Sequence, residues 1–190
     1  MANDDLSRRD LLLATSAGLA VLLPEILEAQ DHAHQAMQTG PSALAYFDKA
    51  TAAEVEAIAA QIIPTDETPG AREAGVIYFV DRALTTFDKD KQGEYRDGLA
   101  AVQKKRAEMF PASKSIASLK PADQLALVTA IDGTPFFETI RTHTIMGFLA
   151  IPTRGGNRGL IGWKMMGVDG VVFKPPFGYY DAKAREEGNR

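Results

Sequence analysis

Few residues in this chain are of a type and spacing that could do chemistry. His143 is the one histidine beyond the N-terminal stretch, so any Ser-His-Asp relay or two-histidine metal site in the folded part has to be built around it alone. A solitary histidine at helical spacing is ordinarily structural or at the surface, and the sequence names no partner for it. His32-x-His34 offers two more imidazoles, but two ligands in a tail without further donors do not make a metal site. Asp66, Glu67 and Glu73 surround a Pro-Gly turn, where turn formation, capping and the helix dipole account for acidic residues without acid–base work. Gly156-x-x-Gly159-x-x-Gly162 lacks the order of a dinucleotide loop and has no strand before it. No P-loop, G-x-S-x-G elbow or H-E-x-x-H is present. The chain has no cysteine, which excludes disulfides, thiolate metal sites, c-type haem attachment and a cysteine nucleophile. The residues themselves therefore assign no catalytic, cofactor-binding or metal-binding role.

The elements that would position any such group sort into three stretches. Residues 1–29 begin with a paired arginine, Arg8-Arg9, directly before a moderately apolar run from Leu11 to Leu23, closed by Pro24. This is the pattern of a twin-arginine export signal, and the run is shorter than the roughly 20 residues that span a bilayer. Residues 30–46 hold Gly40 and Pro41 with no sustained apolar period and read as a linker. The expected destination is the periplasm. Residues 30–190 carry nineteen basic and twenty acidic residues and so have almost no net charge, which removes nucleic acid as a partner class; the body is expected to be 47–190.

Within that remainder the period is helical throughout, predicting an all-α bundle of about five helices. Thr51 and Glu54 have capping-box spacing, followed by Val55, Ile58 and Ile62 on one face, with Pro64 as the stop. Val76, Phe79, Val80, Ala83 and Phe87 form a second stripe, and Tyr95, Leu99, Val102, Arg106 and Met109 a third. Pro121 suits the first turn of a fourth helix carrying Leu125 and Val128. Thr134-Pro135 opens a fifth, with Phe137, Ile140, Thr144 and Phe148 facing inward. From Gly147 to Gly178 lie eight of the sixteen glycines and the single tryptophan, which predicts irregular, tightly turned chain. Apolar residues there, from Ile161 to Tyr180, fit either a protein interface or a wrap back over the bundle.

Two stretches go beyond generic helix and turn. Ile62-Ile63-Pro64-Thr65-Asp66-Glu67-Thr68-Pro69-Gly70-Ala71-Arg72-Glu73-Ala74-Gly75-Val76 closely resembles the signature turn of the gluconate 2-dehydrogenase small-subunit (subunit 3) family; its motif positions here are Pro64, Asp66, Pro69, Gly70, Ala71 and Gly75. Phe136-Phe137, Gly147, Ile151-Pro152, Gly155-Gly156-Asn157 and Gly162-Trp163 are similar to that family's closing pattern, departing from it at Ile151 and Arg154, where Asp and an aromatic residue are common. The resemblance implies a non-catalytic subunit that holds no cofactor itself. It would accompany a large FAD-dependent oxidoreductase of the glucose–methanol–choline type, with haem c in a possible third, multihaem cytochrome subunit. The substrates implied are gluconate, glucose, fructose and other sugars or glycosides. The small subunit would supply the signal read by the twin-arginine translocase and stabilise its folded partner. Pro152, Gly155, Gly156, Asn157, Trp163 and Phe173 are the expected partner contacts. A free-standing periplasmic binding module and an independent periplasmic enzyme are the alternatives.

Overall fold

The computed structural model describes residue 40 and residues 42–168. The expected signal with Arg8 and Arg9, most of the linker, and Phe173 lie outside the described residues. Six α-helices and three short 3₁₀ turns make up the described part, and no strand occurs in it: α1 (Lys49–Ile62), α2 (Val76–Thr85), α3 (Gln92–Met109), α4 (Pro121–Ala130), α5 (Pro135–Leu149) and α6 (Ile161–Met165). The all-α expectation holds, with one short helix more than the period indicated.

Each start and stop has a local cause. α1 begins earlier than the Thr51–Glu54 spacing suggested, because Asp48 is its N-cap and accepts from the Thr51 N–H at 2.7 Å. Glu54 reaches instead across the molecule to accept from the Ile116 N–H at 2.7 Å. Pro121 and Pro135 each occupy the first turn of a helix, and the Thr134 hydroxyl caps α5 by accepting from the Phe137 N–H. α2 ends at Thr85, so Phe87, placed by period on its face, falls past the helix and is half exposed.

The core gathers Val55 and Ile58 of α1, Val76, Val80 and Leu84 of α2, Tyr95 of α3, Leu127 of α4 and Ile140 of α5. α2 is buried along most of its length and packs most extensively on α5, while α1 rests on α2, α4 and α5, and α3 on α4 and α5. α4 turns Gln124, Leu127 and Val128 inward, which leaves Leu125 exposed, contrary to the stripe expected of it. Buried Gln124 accounts for the shift: its amide donates to the Ile116 carbonyl and accepts from Gln61, so the polar end is satisfied where an apolar residue was expected. On α5, Phe136 takes the fully buried place and Phe137 packs at the margin.

Ahead of α1 the backbone is tied to the bundle by one carboxylate. Asp81 of α2, only 2% exposed, accepts from the N–H groups of Ala45, Tyr46 and Phe47 at 2.7, 2.9 and 2.8 Å. The packed body therefore takes in Ala45 and Tyr46, which composition alone placed in the linker.

Candidate functional site

The signature turn and the glycine-rich end meet in space. Between α1 and α2, Asp66 forms a turn by accepting from both the N–H and the hydroxyl of Thr68, at 2.8 Å each. The N–H bond from Thr68, followed by the hydroxyl bond, holds this carboxyl below the usual carboxylate range. Glu73 likewise titrates low, first because Thr65 donates its hydroxyl at 2.7 Å, with the Gly70 N–H adding a second bond at 2.9 Å. Both acids are thus committed to shaping the turn. Gly70 is pressed against the Ile63 and Pro64 backbone, where a β-carbon would lie 2.5 Å from the Ile63 oxygen, and the Ala71 N–H donates to that same carbonyl. Pro64, Thr65, Glu67 and Pro69 stay at the surface, whereas Ala71, Ala74 and Gly75 are buried.

Arg158 bridges this turn to the far end of the sequence. Its backbone N–H donates to the Ala74 carbonyl, its aliphatic stem crosses the space a Gly75 β-carbon would need, and its guanidinium lies 3.9 Å from the centre of the Tyr78 ring. Arg158 lies between motif positions, and sequence reasoning passed over it, because nothing local to either end announces a contact between residues some eighty positions apart.

The expected contact residues divide sharply. Pro152, Gly155, Gly156 and Asn157 are buried by the chain's own packing on α2 and α5. Gly156, at φ 75°, has the Gly147 carbonyl oxygen 2.1 Å from where a β-carbon would stand, so only glycine fits there. Asn157, wholly buried at φ 42°, donates to the Ala150 carbonyl and accepts from the Gly162 N–H. Gly162 in turn is seated on the Phe148 carbonyl. Of the spaced glycines, Gly156 and Gly162 face α5, while Gly159, at φ 62°, has open space where a β-carbon would stand. These four residues set the shape of the segment from inside it. Trp163 is half-buried, with its indole N–H donating to the Leu149 carbonyl at 2.8 Å, and Met165 and Met166 are exposed beside it.

His143 acquires partners that the sequence did not reveal. Its Nδ1 lies 2.9 Å from the Tyr95 hydroxyl and its Nε2 3.0 Å from Asp88 Oδ2. A neutral imidazole protonated on Nε2 satisfies both contacts, with Tyr95 donating to Nδ1 and Nε2–H donating to Asp88. Tyr95 also stacks on the imidazole with ring centres 5.6 Å apart, and burial pushes its phenol well above the ordinary tyrosine value. Neighbouring Glu94 is held low, chiefly by a hydrogen bond from the Thr139 hydroxyl and next by Lys91. The His143 side chain is only 5% exposed, and with both ring nitrogens engaged it has no free lone pair to take a proton from a bound molecule. The arrangement ties α3, α5 and the turn after α2 together. Among the described residues, no group of three or more His, Asp or Glu is placed to hold a metal ion, and no helix is long and apolar enough to cross a membrane.

One surface remains conspicuous. Phe87, Met146, Leu149 and Ile151 are exposed and line, with Phe79, Ala150 and Arg154, a shallow groove of about 360 Å³. Ile145, Met165 and Met166 are exposed as well, and exposed apolar surface of this kind marks interaction sites.

A family model described as gluconate 2-dehydrogenase subunit 3 matches residues 49–170, about two thirds of the chain. No curated protein and no solved structure matches it.

Proposed function

Since the chain belongs to the gluconate 2-dehydrogenase subunit 3 family, we propose that it is the exported, non-catalytic small subunit of a flavin-dependent sugar dehydrogenase. In this reading the FAD and the catalytic bases belong to a large oxidoreductase subunit of the glucose–methanol–choline type. Haem c belongs to a cytochrome subunit that receives the electrons. The small subunit carries the twin-arginine signal at Arg8 and Arg9, and the folded partner crosses into the periplasm with it.

The observation that carries the proposal is the family match across 49–170, spanning both the signature turn and the closing segment. The body is consistent with it: a bundle whose most interior histidine is spent on structure, whose glycine-rich loop is filled by its own helix, and whose apolar patch needs a cover. The contact with the large subunit is assigned to the segment from Gly147 to Tyr180. Its outward residues, Trp163, Met165 and Met166, make the contact, and Pro152, Gly155, Gly156 and Asn157 hold the shape beneath.

Replacing Arg8 and Arg9 together by lysine keeps the charge but removes the guanidinium pair. In cells making both subunits, the double variant is expected to leave dehydrogenase activity in the cytoplasm and abolish it in the periplasm. Undiminished periplasmic activity overturns the carrier role, and failure of the two wild-type chains to co-purify overturns the subunit assignment.

A further inference from the structure

We propose that Asp132-Gly133, in the link between α4 and α5, is a site of spontaneous backbone isomerisation, where the aspartate converts to isoaspartate through a cyclic imide. The inference involves no partner chain and is independent of the subunit assignment.

The reaction is one that two neighbouring groups perform on each other. The Gly133 nitrogen attacks the carboxyl carbon of protonated Asp132, forming a new C–N bond, and the carboxyl hydroxyl leaves with the amide proton as water. The product is a five-membered succinimide. Water then adds to one of its two ring carbonyls. Opening on one side restores aspartate; opening on the other routes the main chain through the former side chain, with one more carbon in the backbone. Water is the only co-reactant. Three conditions favour ring closure: the nitrogen beside the carboxyl, no competing bond on its hydrogen, and room around the ring.

All three are met at Gly133. Its N–H donates to Asp132 Oδ1 at 2.9 Å, so the carboxyl carbon is one bond away from an atom the nitrogen already touches. The backbone bonds on either side pass this nitrogen by: Asp132 N–H donates to the Thr129 carbonyl and Thr134 N–H to the Ile131 carbonyl. Gly133 stands at φ 75° with nothing within 4 Å of the place a β-carbon would take, and Asp132, Gly133 and Thr134 are all exposed.

The same dipeptide occurs at Asp97-Gly98, where the fold forbids the reaction. Asp97 is also at the surface, its side chain 72% exposed, so access to water does not separate the two sites. The backbone does. Gly98 lies inside α3 (Gln92–Met109), where its N–H belongs to the helical ladder. It is also pressed on Phe136, whose ring would stand 2.2 Å from a β-carbon there. The Asp97 carboxylate is turned onto Arg96, accepting from it at 2.8 and 3.2 Å. Closing the imide at this position requires local unfolding of the helix, whereas the link at Asp132 requires none. A third pair, Asp169-Gly170, lies outside the described residues, so the product has to be assigned position by position.

The test is ageing of the purified full chain at mildly acidic pH and body temperature, with one sample folded and a second held unfolded in urea. Proteolytic fragments are then separated, and electron-transfer fragmentation, which distinguishes isoaspartate from aspartate of equal mass, reads each site. In the folded chain isoaspartate is expected to accumulate at Asp132 several-fold faster than at Asp97. In urea the rate at Asp97 should rise toward that at Asp132. Asp132→Glu, which would need a six-membered ring, is expected to remove the product at that position while leaving helical circular dichroism and melting temperature close to wild type. Equal accumulation at Asp97 and Asp132 in the folded chain overturns the inference, because the fold would then make no distinction. So does a folded chain that gives no isoaspartate at Asp132 over a period in which the unfolded chain forms it.

Discussion

Replacing Tyr95 by phenylalanine removes one oxygen atom from the centre of the molecule and isolates the contribution of the buried polar link. The ring stays, and with it the stacking on His143 and the edge-to-face contact with Phe136 at 5.4 Å. His143 Nδ1 loses its donor in a site where water has little access, the residue being 4% exposed. An unsatisfied buried acceptor costs about 1–3 kcal/mol, and the retained packing argues for the middle, about 2 kcal/mol. For a chain of this size that corresponds to a melting temperature lower by about 4–8 °C. His143→Phe leaves the Tyr95 hydroxyl unpartnered and adds ring volume, for a loss of about 3 kcal/mol. Asp88, its side chain 29% exposed, can turn to solvent. The double variant contains no widowed partner, so its loss is expected to fall short of the sum by at least about 1 kcal/mol. Urea unfolding followed by circular dichroism measures all four proteins, with unchanged slope as the check that the unfolding reaction is the same. pH supplies a second arm. The buried phenol has its folded-state value raised, so its contribution is complete below the unfolded tyrosine value of about 10 and is lost as the pH rises from there through the folded value. The stability gap between wild type and Tyr95→Phe should therefore narrow only above that pH. Losses additive to within about 0.5 kcal/mol would refute the claim that the two groups act as a pair.

Three more outcomes follow from the geometry. Trp163→Ala should cost the isolated chain only about 1–2 kcal/mol, since the indole is half-buried and makes one hydrogen bond. The same change should weaken co-purification with the proposed flavoprotein subunit about thirty-fold or more if the ring fills a partner pocket, and unchanged affinity would remove Trp163 from the contact. Gly156→Ala brings a β-carbon against the Gly147 carbonyl at φ 75°, and a loss above about 3 kcal/mol is expected in urea; a loss under about 1 kcal/mol would show that the segment can shift away. Asp81→Asn leaves one oxygen for N–H groups that now share two and turns an amide NH2, itself a donor, toward another N–H. It should lower stability by about 2–4 kcal/mol in the same unfolding assay, and a neutral result would mean that the three bonds are replaced by water.

What the sequence made legible was local. Apolar residues three and four apart disclosed α1 to α5, and Pro64, Pro121 and Pro135 marked boundaries because a ring without an N–H belongs at a first turn or beyond an end. The signature turn and the closing pattern were readable as family marks, and both fall inside the matched residues. The failures are tertiary. Thr51 and Glu54 have the spacing of a cap, yet Glu54 was drawn to Ile116 and Asp48 did the capping. Gln124 displaced Leu125 from the interior because two polar partners from α1 and the Ile116 turn waited there. Tyr95 and Asp88 stand 48 and 55 positions from His143, and no window along the chain joins them. Glycine density correctly announced tight turns, but not that the turns are pressed onto α5. Nor could it say that Asn157 would sit buried in a left-handed conformation.

The carboxylate of Asp81 also decides how load enters the molecule. A pull on the chain from its N-terminal side reaches residues 45–47 ahead of α1, where three N–H groups converge on a single side chain. That side chain is rooted in α2, the most thoroughly enclosed helix, so tension passes sideways into the centre of the bundle before it reaches the first turn of α1. The three bonds stand side by side on one anchor, and they share the load until the anchor itself gives way. Asp81 works as a cleat on a hull: the line can be hauled hard while the planking beyond it stays unstressed.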